Sequence, residues 1–166
     1  MGILVATSDF NGQISTDKYT IDELDVAIDT YEKRLIYELL GVELADLFFA
    51  DLDANGVPQT QRFVDIYEAW TKDINNYLVS SLGIKEMVKK YIIYYYTRTQ
   101  SQTNTIQGDT QVANNLNNPS AMAYTSLVLM YNECIKTYEA IQYYINANSS
   151  VYPEYKGMYK MFHSWA

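Results

Sequence analysis

The chain has 166 residues and a formal net charge of -8, from 12 basic and 20 acidic side chains. That length suits one domain with a sizeable core, and 48% hydrophobic against 19% charged residues is too apolar for a disordered chain and too often interrupted by polar groups for a membrane protein. The acid excess works against contact with nucleic-acid phosphates or an anionic membrane, because no basic patch offsets it; the densest basic group, Lys85, Lys89 and Lys90, reads as a solvated helix face.

Taken in chain order, the residues predict a single all-α domain over 1–166, with four long helices in a bundle-like arrangement. Residues 1–19 read as an extended leader with a turn at "NGQ", and the four consecutive apolar residues Ile3 to Ala6 indicate neither a signal peptide nor a membrane span. Thr20 and Glu23 make the capping pattern Thr-x-x-Glu. Leu24, Ile28, Tyr31, Leu35, Leu39 and Val42 then recur at helical spacing on one face. Asp22, Asp25, Asp29, Glu32 and Lys33 lie opposite and are expected to face water. Gly41 kinks or ends this helix, and the apolar run "VELADLFFADL" continues helically to about Ala50.

A second helix is predicted from about Gln59 to Ser80, packing through Phe63, Ile66, Tyr67, Trp70, Ile74, Tyr77 and Leu78 and stopped by "SSLG". The third starts at Ile84, and its second half, "YIIYYYTRT", is apolar nearly all round, as in a central helix of a bundle. Residues 99–119 change character: Asp109 is the one charge, Gln, Asn and Thr dominate, and so long a stretch without structure in a compact domain is usually functional or disordered. They read as a long extended arm between helices three and four, able to dock on a neighbouring chain through backbone hydrogen bonds. Pro119 and Ser120 open the fourth helix, with Leu127, Tyr131, Cys134, Tyr138, Ile141 and Ile145 at helical spacing, and residues 148–166 form an aromatic C-terminal tail.

The 17 tyrosines supply apolar area with a polar tip, suited either to an ordinary core or to a surface covered by a partner. On the second reading the interface candidates are Thr99, Thr103, Ile106, Val112 and Leu116 of the arm and Tyr152, Tyr155, Tyr159 and Trp165 of the tail.

Chemistry is harder to find. "DLDANG" begins like a calcium loop, with Asp51, Asp53, Asn55 and Gly56 at positions 1, 3, 5 and 6, but position 12 is Arg62 where a bidentate glutamate is required. The run is instead expected to be a turn, with Asp53 and Asn55 bonding nearby backbone and Gly56 at positive φ. His163 is the one histidine, so a histidine-rich metal site cannot be built. Cys134, on a helix, reads as a buried thiol, and no glycine-rich phosphate loop or nucleophile elbow occurs. No catalytic residue, cofactor or metal is therefore expected, and the chain does not read as an enzyme.

The layout from "YTIDELDVAIDTYEKRLIYELLGVELADLFFADL" through "YIIYYYTRTQSQTNTIQGDTQVANN" to "YNECIKTYEAIQYYI" and "YPEY" resembles the small helical head-tail connector, or adaptor, proteins of tailed bacteriophages and prophages. The resemblance covers most of the chain from about residue 19, with Gly41–Leu52, Tyr91–Tyr96 and Thr99–Asn118 as the matching features. It implies a structural protein of the virion, made in the host cytoplasm. Subunits of that family form a ring, commonly twelve-fold, at the head-tail junction, bounded by the portal protein and a downstream tail or stopper protein, with genome DNA passing through the channel. An acidic surface suits such passage because it denies DNA a tight phosphate contact. The alternatives are a small helical protein-binding module of phage or host origin, or another neck component such as a stopper or terminator.

Overall fold

The computed structural model describes residues 2–10, 18–101, 104–105, 108–109 and 119–157. Among these the chain runs through a 3-10 turn (Thr7–Phe10), α1 (Lys18–Leu40), α2 (Val42–Ala50), α3 (Gln61–Tyr67), β1 (Trp70–Ile74), β2 (Tyr77–Ser81), α4 (Ile84–Ser101), two two-residue strands, β3 (Asn104–Thr105) and β4 (Gly108–Asp109), and α5 (Pro119–Ala147). The described fold is thus helical with two added antiparallel strand pairs, β1–β2 and the two-residue β3–β4, and it has five helices where the sequence predicted four. No described helix is long and apolar enough to cross a membrane.

The core lies where α1, α4 and α5 meet. α5, at 29 residues, is about 43 Å long by the helical rise and packs along α4, which in turn packs on α1. Leu24, Ile28, Leu35 and Leu39 of α1, Met87, Val88, Tyr91 and Ile92 of α4, and Cys134, Tyr138, Ile141 and Ile145 of α5 are all buried in one cluster. Tyrosines link the three helices. Tyr31 of α1 lies 6.0 Å from Tyr91 and 5.1 Å from Tyr95 of α4, and Tyr94 lies 4.6 Å from Tyr131 of α5. Tyr138 donates its hydroxyl to the Glu38 carbonyl at 2.6 Å, so its ring can be fully covered without stranding a polar group. The tyrosine excess thus largely serves the core: most of the described tyrosines are buried or packed against it.

Five expectations are corrected. α1 begins at Lys18, so Thr20 lies inside the helix and not at its cap. Gly41, at φ 76 and ψ 169, breaks the helix between Leu40 and Val42. The stripe of α1 therefore does not continue, and Val42 is 67% exposed.

The leader is part of the core, with Leu4, Val5 and Phe10 buried. What anchors it is Glu32, which was expected to face water but is 1% exposed. Its carboxylate accepts from three successive backbone amides, those of Ile3 at 2.7 Å, Leu4 at 3.0 Å and Val5 at 3.0 Å. A buried carboxylate is tolerable when its lone pairs are filled in this way. Lys85 of α4 adds a 3.3 Å ion pair to Asp9 in the 3-10 turn.

The predicted second helix stops at Tyr67, where Glu68 turns extended at ψ 163. Trp70 to Ser81 form the hairpin instead. Asn75 and Asn76 occupy its two-residue turn, both at positive φ (55 and 65), the backbone that a right-twisted hairpin favours and that Asn tolerates.

Candidate interaction surface

The hairpin is held along one face as far as Asn75 in its turn, and is uncovered at Tyr77 and Leu78. Its register pairs Trp70 with Ser81, Lys72 with Val79 and Ile74 with Tyr77 on one face, and Thr71 with Ser80 and Asp73 with Leu78 on the other. The first face meets α5. Trp70 lies 5.2 Å from Tyr144, Lys72 Nζ sits 4.2 Å above the Tyr144 ring and 3.1 Å from its hydroxyl, Ile74 is buried, and Asn75 donates to the Tyr143 hydroxyl at 3.3 Å. Lys72 thus lays its stem along aromatic surface while its ammonium keeps a polar partner.

At the base, Gly83 takes φ +83, and a Cβ there would meet the Tyr67 carbonyl oxygen at 2.3 Å and the Glu68 carbonyl carbon at 2.6 Å. Only glycine lets the chain leaving β2 close on the chain entering β1. The tip has no such cover: Tyr77 is 70% and Leu78 78% exposed, and Asp73 beside them is exposed with no ion pair among the described residues.

An open groove of about 640 Å³ lies between the hairpin base and α5, lined by residues 69–71 and 80–82 of the hairpin and by Glu133, Lys136 and Thr137 of α5. Its hydroxyls are partly engaged: Thr137 Oγ1 accepts from the Leu82 amide at 3.4 Å, Ser81 Oγ from the Gly83 amide at 3.1 Å. The Glu133 carboxylate is held by Lys90 at 2.7 Å. Lys136 is exposed and makes no ion pair among the described residues, and the Trp70 indole N–H, buried, has no acceptor among them.

The acidic run at 51–60 is a closed turn. Asp51 Oδ2 accepts from the amides of Gln59 and Thr60, each at 2.8 Å, and its Oδ1 takes the Thr60 hydroxyl. Asp53 Oδ1 accepts from the amides of Asn55 at 2.8 Å and Val57 at 2.9 Å, and Gly56 has φ +74. Burial works against the Asp51 charge, but the hydrogen bonds from Thr60 and Gln59 and the nearby Arg62 outweigh it and hold the carboxyl below its usual range. The backbone amides of Val57 and Asn55 do the same for Asp53. Arg62, at the position where a calcium loop needs glutamate, pairs with Glu154 at 3.2 Å. These carboxylates serve their own loop, as the turn reading expected. Among the described residues no group of His, Cys, Asp and Glu is disposed to hold a metal. Burial pushes the Cys134 thiol up to about 12, against a smaller opposing effect of Lys90, so at neutral pH it carries no thiolate.

The interface candidates fall differently. Thr99 lies within α4, and Thr103, Ile106, Val112, Leu116, Tyr159 and Trp165 lie outside the described residues, as does most of the predicted arm. Tyr152 is 1% exposed and donates its hydroxyl to the Arg62 carbonyl at 2.5 Å, and Tyr155 packs against the main core. Both are turned into their own chain. The hairpin tip was missed, although Asn-Asn between "WTKDI" and "YLVSS" is a turn signal. No protein-family profile, curated protein or solved structure matches this chain.

Proposed function

We propose that the chain is a non-enzymatic structural subunit of a phage head-tail connector, assembled as a homo-oligomeric ring of about a dozen copies between portal and tail, with DNA passing through without sequence-specific contact. The observation that carries the assembly part is the hairpin. Of the large apolar residues exposed among the described residues, Leu78 and Tyr77 are the two most exposed, and they stand next to one another on one strand of a hairpin; adjacent exposed aromatic and aliphatic side chains mark a surface for a partner. The resemblance of the helical segments supplies the connector part. The work is mechanical: α1, α4 and α5 form a wedge, and the arm that follows α4 reaches neighbouring subunits, portal or stopper to seal the joint.

The mass distribution of the purified protein over a wide concentration range, with negative-stain images of any large species, tests this reading. Closed rings are expected. A single 19.1 kDa species at every concentration, alone and with the portal protein of the same genome, overturns it in favour of a monomeric binding module. Deleting residues 101–117 is expected to leave helical content nearly unchanged and to impair assembly.

A further inference from the structure

The hairpin tip and the groove at the hairpin base are complementary, and they cannot meet within one chain. Leu78 is three residues from Ser81 in an extended strand, so it stands about 10 Å from the groove at the rise of a β-strand. The groove is open to solvent and has a volume of about 640 Å³, room for a tyrosine and a leucine side chain. The charges match as well. Asp73, the cross-strand neighbour of Leu78, carries a carboxylate with no ion pair among the described residues, and Lys136 in the groove carries an ammonium in the same state. Glu133, the one acid lining the groove, is already neutralised by Lys90, which leaves Lys136 as the dominant charge there.

We infer that the hairpin tip of one copy docks into the groove of the next, Asp73 pairing with the neighbour's Lys136 while Leu78 and Tyr77 cover the neighbour's Trp70 and Leu82. Tip and groove are different patches, so the contact is head-to-tail and repeats around a ring instead of closing as a two-fold dimer. The inference rests on the ring reading and assigns its subunit contact.

Charge exchange tests it. Asp73→Lys, Lys136→Asp and the double variant are compared with the unaltered chain by sedimentation over a range of concentrations at low salt, where exposed charges act most strongly. Each single reversal is expected to weaken association at least tenfold, and the double variant to restore most of it, because the pair is re-formed with its signs exchanged. Leu78→Ser is expected to weaken association in both the unaltered and the doubly exchanged chains. All these side chains are exposed, and thermal melts check that each variant is folded; Asp73→Asn and Lys136→Gln serve if a reversal is not. If the unaltered chain associates and the single variants match it, or if the double variant is no better than the singles, this contact is wrong and the ring reading stands. If the unaltered chain never associates, alone or with the portal protein of the same genome, both fall.

Discussion

In the interface of α4 with α1 and α5, tyrosines are covered and held: Tyr138 is fully buried with its hydroxyl on the Glu38 carbonyl, and Tyr94 lies against Tyr131. At the hairpin tip the same residue type stands 70% exposed in Tyr77, beside Leu78 at 78%. The difference lies in what the backbone places behind each ring. A helix in the bundle has two neighbours to fill its flanks, whereas a two-stranded ribbon has one face on α5 and nothing beyond its turn. Aromatic content alone therefore says little about use; the number of covering elements decides it.

The contrast can be broken most broadly by pH. Burial raises the phenols of Tyr91, Tyr138 and Tyr152 well above their usual range, Tyr131 to about 12, and the Cys134 thiol to about 12. These groups are neutral when protonated, so above pH 9 to 10 the folded chain holds protons that the unfolded chain has released. Stability is full below pH 9 and is lost as pH rises toward 12. Circular dichroism melts at stepped pH should show this loss, and a flat profile to pH 12 would mean that the core tyrosines are not buried.

Single substitutions follow in order of expected size. Phe48→Ala removes a fully buried ring that meets Phe63 at 5.5 Å and Phe49 at 5.9 Å, and should cost about 3–5 kcal/mol in urea unfolding. Glu32→Ala leaves three amides without their acceptor and should cost about 3 kcal/mol, with amide exchange at Ile3, Leu4 and Val5 rising as the leader detaches. Gly83→Ala forces a Cβ onto the Tyr67 carbonyl at a positive φ and should cost about 2–3 kcal/mol. Its signature is altered Trp70 fluorescence, since the base of the hairpin must open. Leu78→Ser, at the exposed tip, should change monomer stability by less than about 0.5 kcal/mol. A large loss there would show that the tip is part of the fold and not a surface held out from it.

The long helices and the turn at 51–60 were legible because their signals are local. Helical spacing marks α5 and an apolar run nearly all round marks α4 from within, and the acidic run's carboxylates take amides of their own loop. The hairpin was not legible because its inward face carries Lys72 between Trp70 and Ile74, which hides the two-residue alternation, while Phe63, Ile66, Tyr67, Trp70 and Ile74 happen to continue a helical spacing. Tyr144, some seventy residues on, supplies the aromatic surface that makes an inward lysine acceptable.

By itself, then, the sequence determined a helical domain, the positions of α1, α4 and α5, and the closed acidic turn, since each depends on residues within one or two turns of one another. Tertiary structure alone decided that Glu32 is buried, that Val42 is exposed, and that residues 70–81 are a ribbon with an uncovered tip. Each of those outcomes depends on a partner distant in sequence or on a break in direction, and neither leaves a periodic trace in the chain.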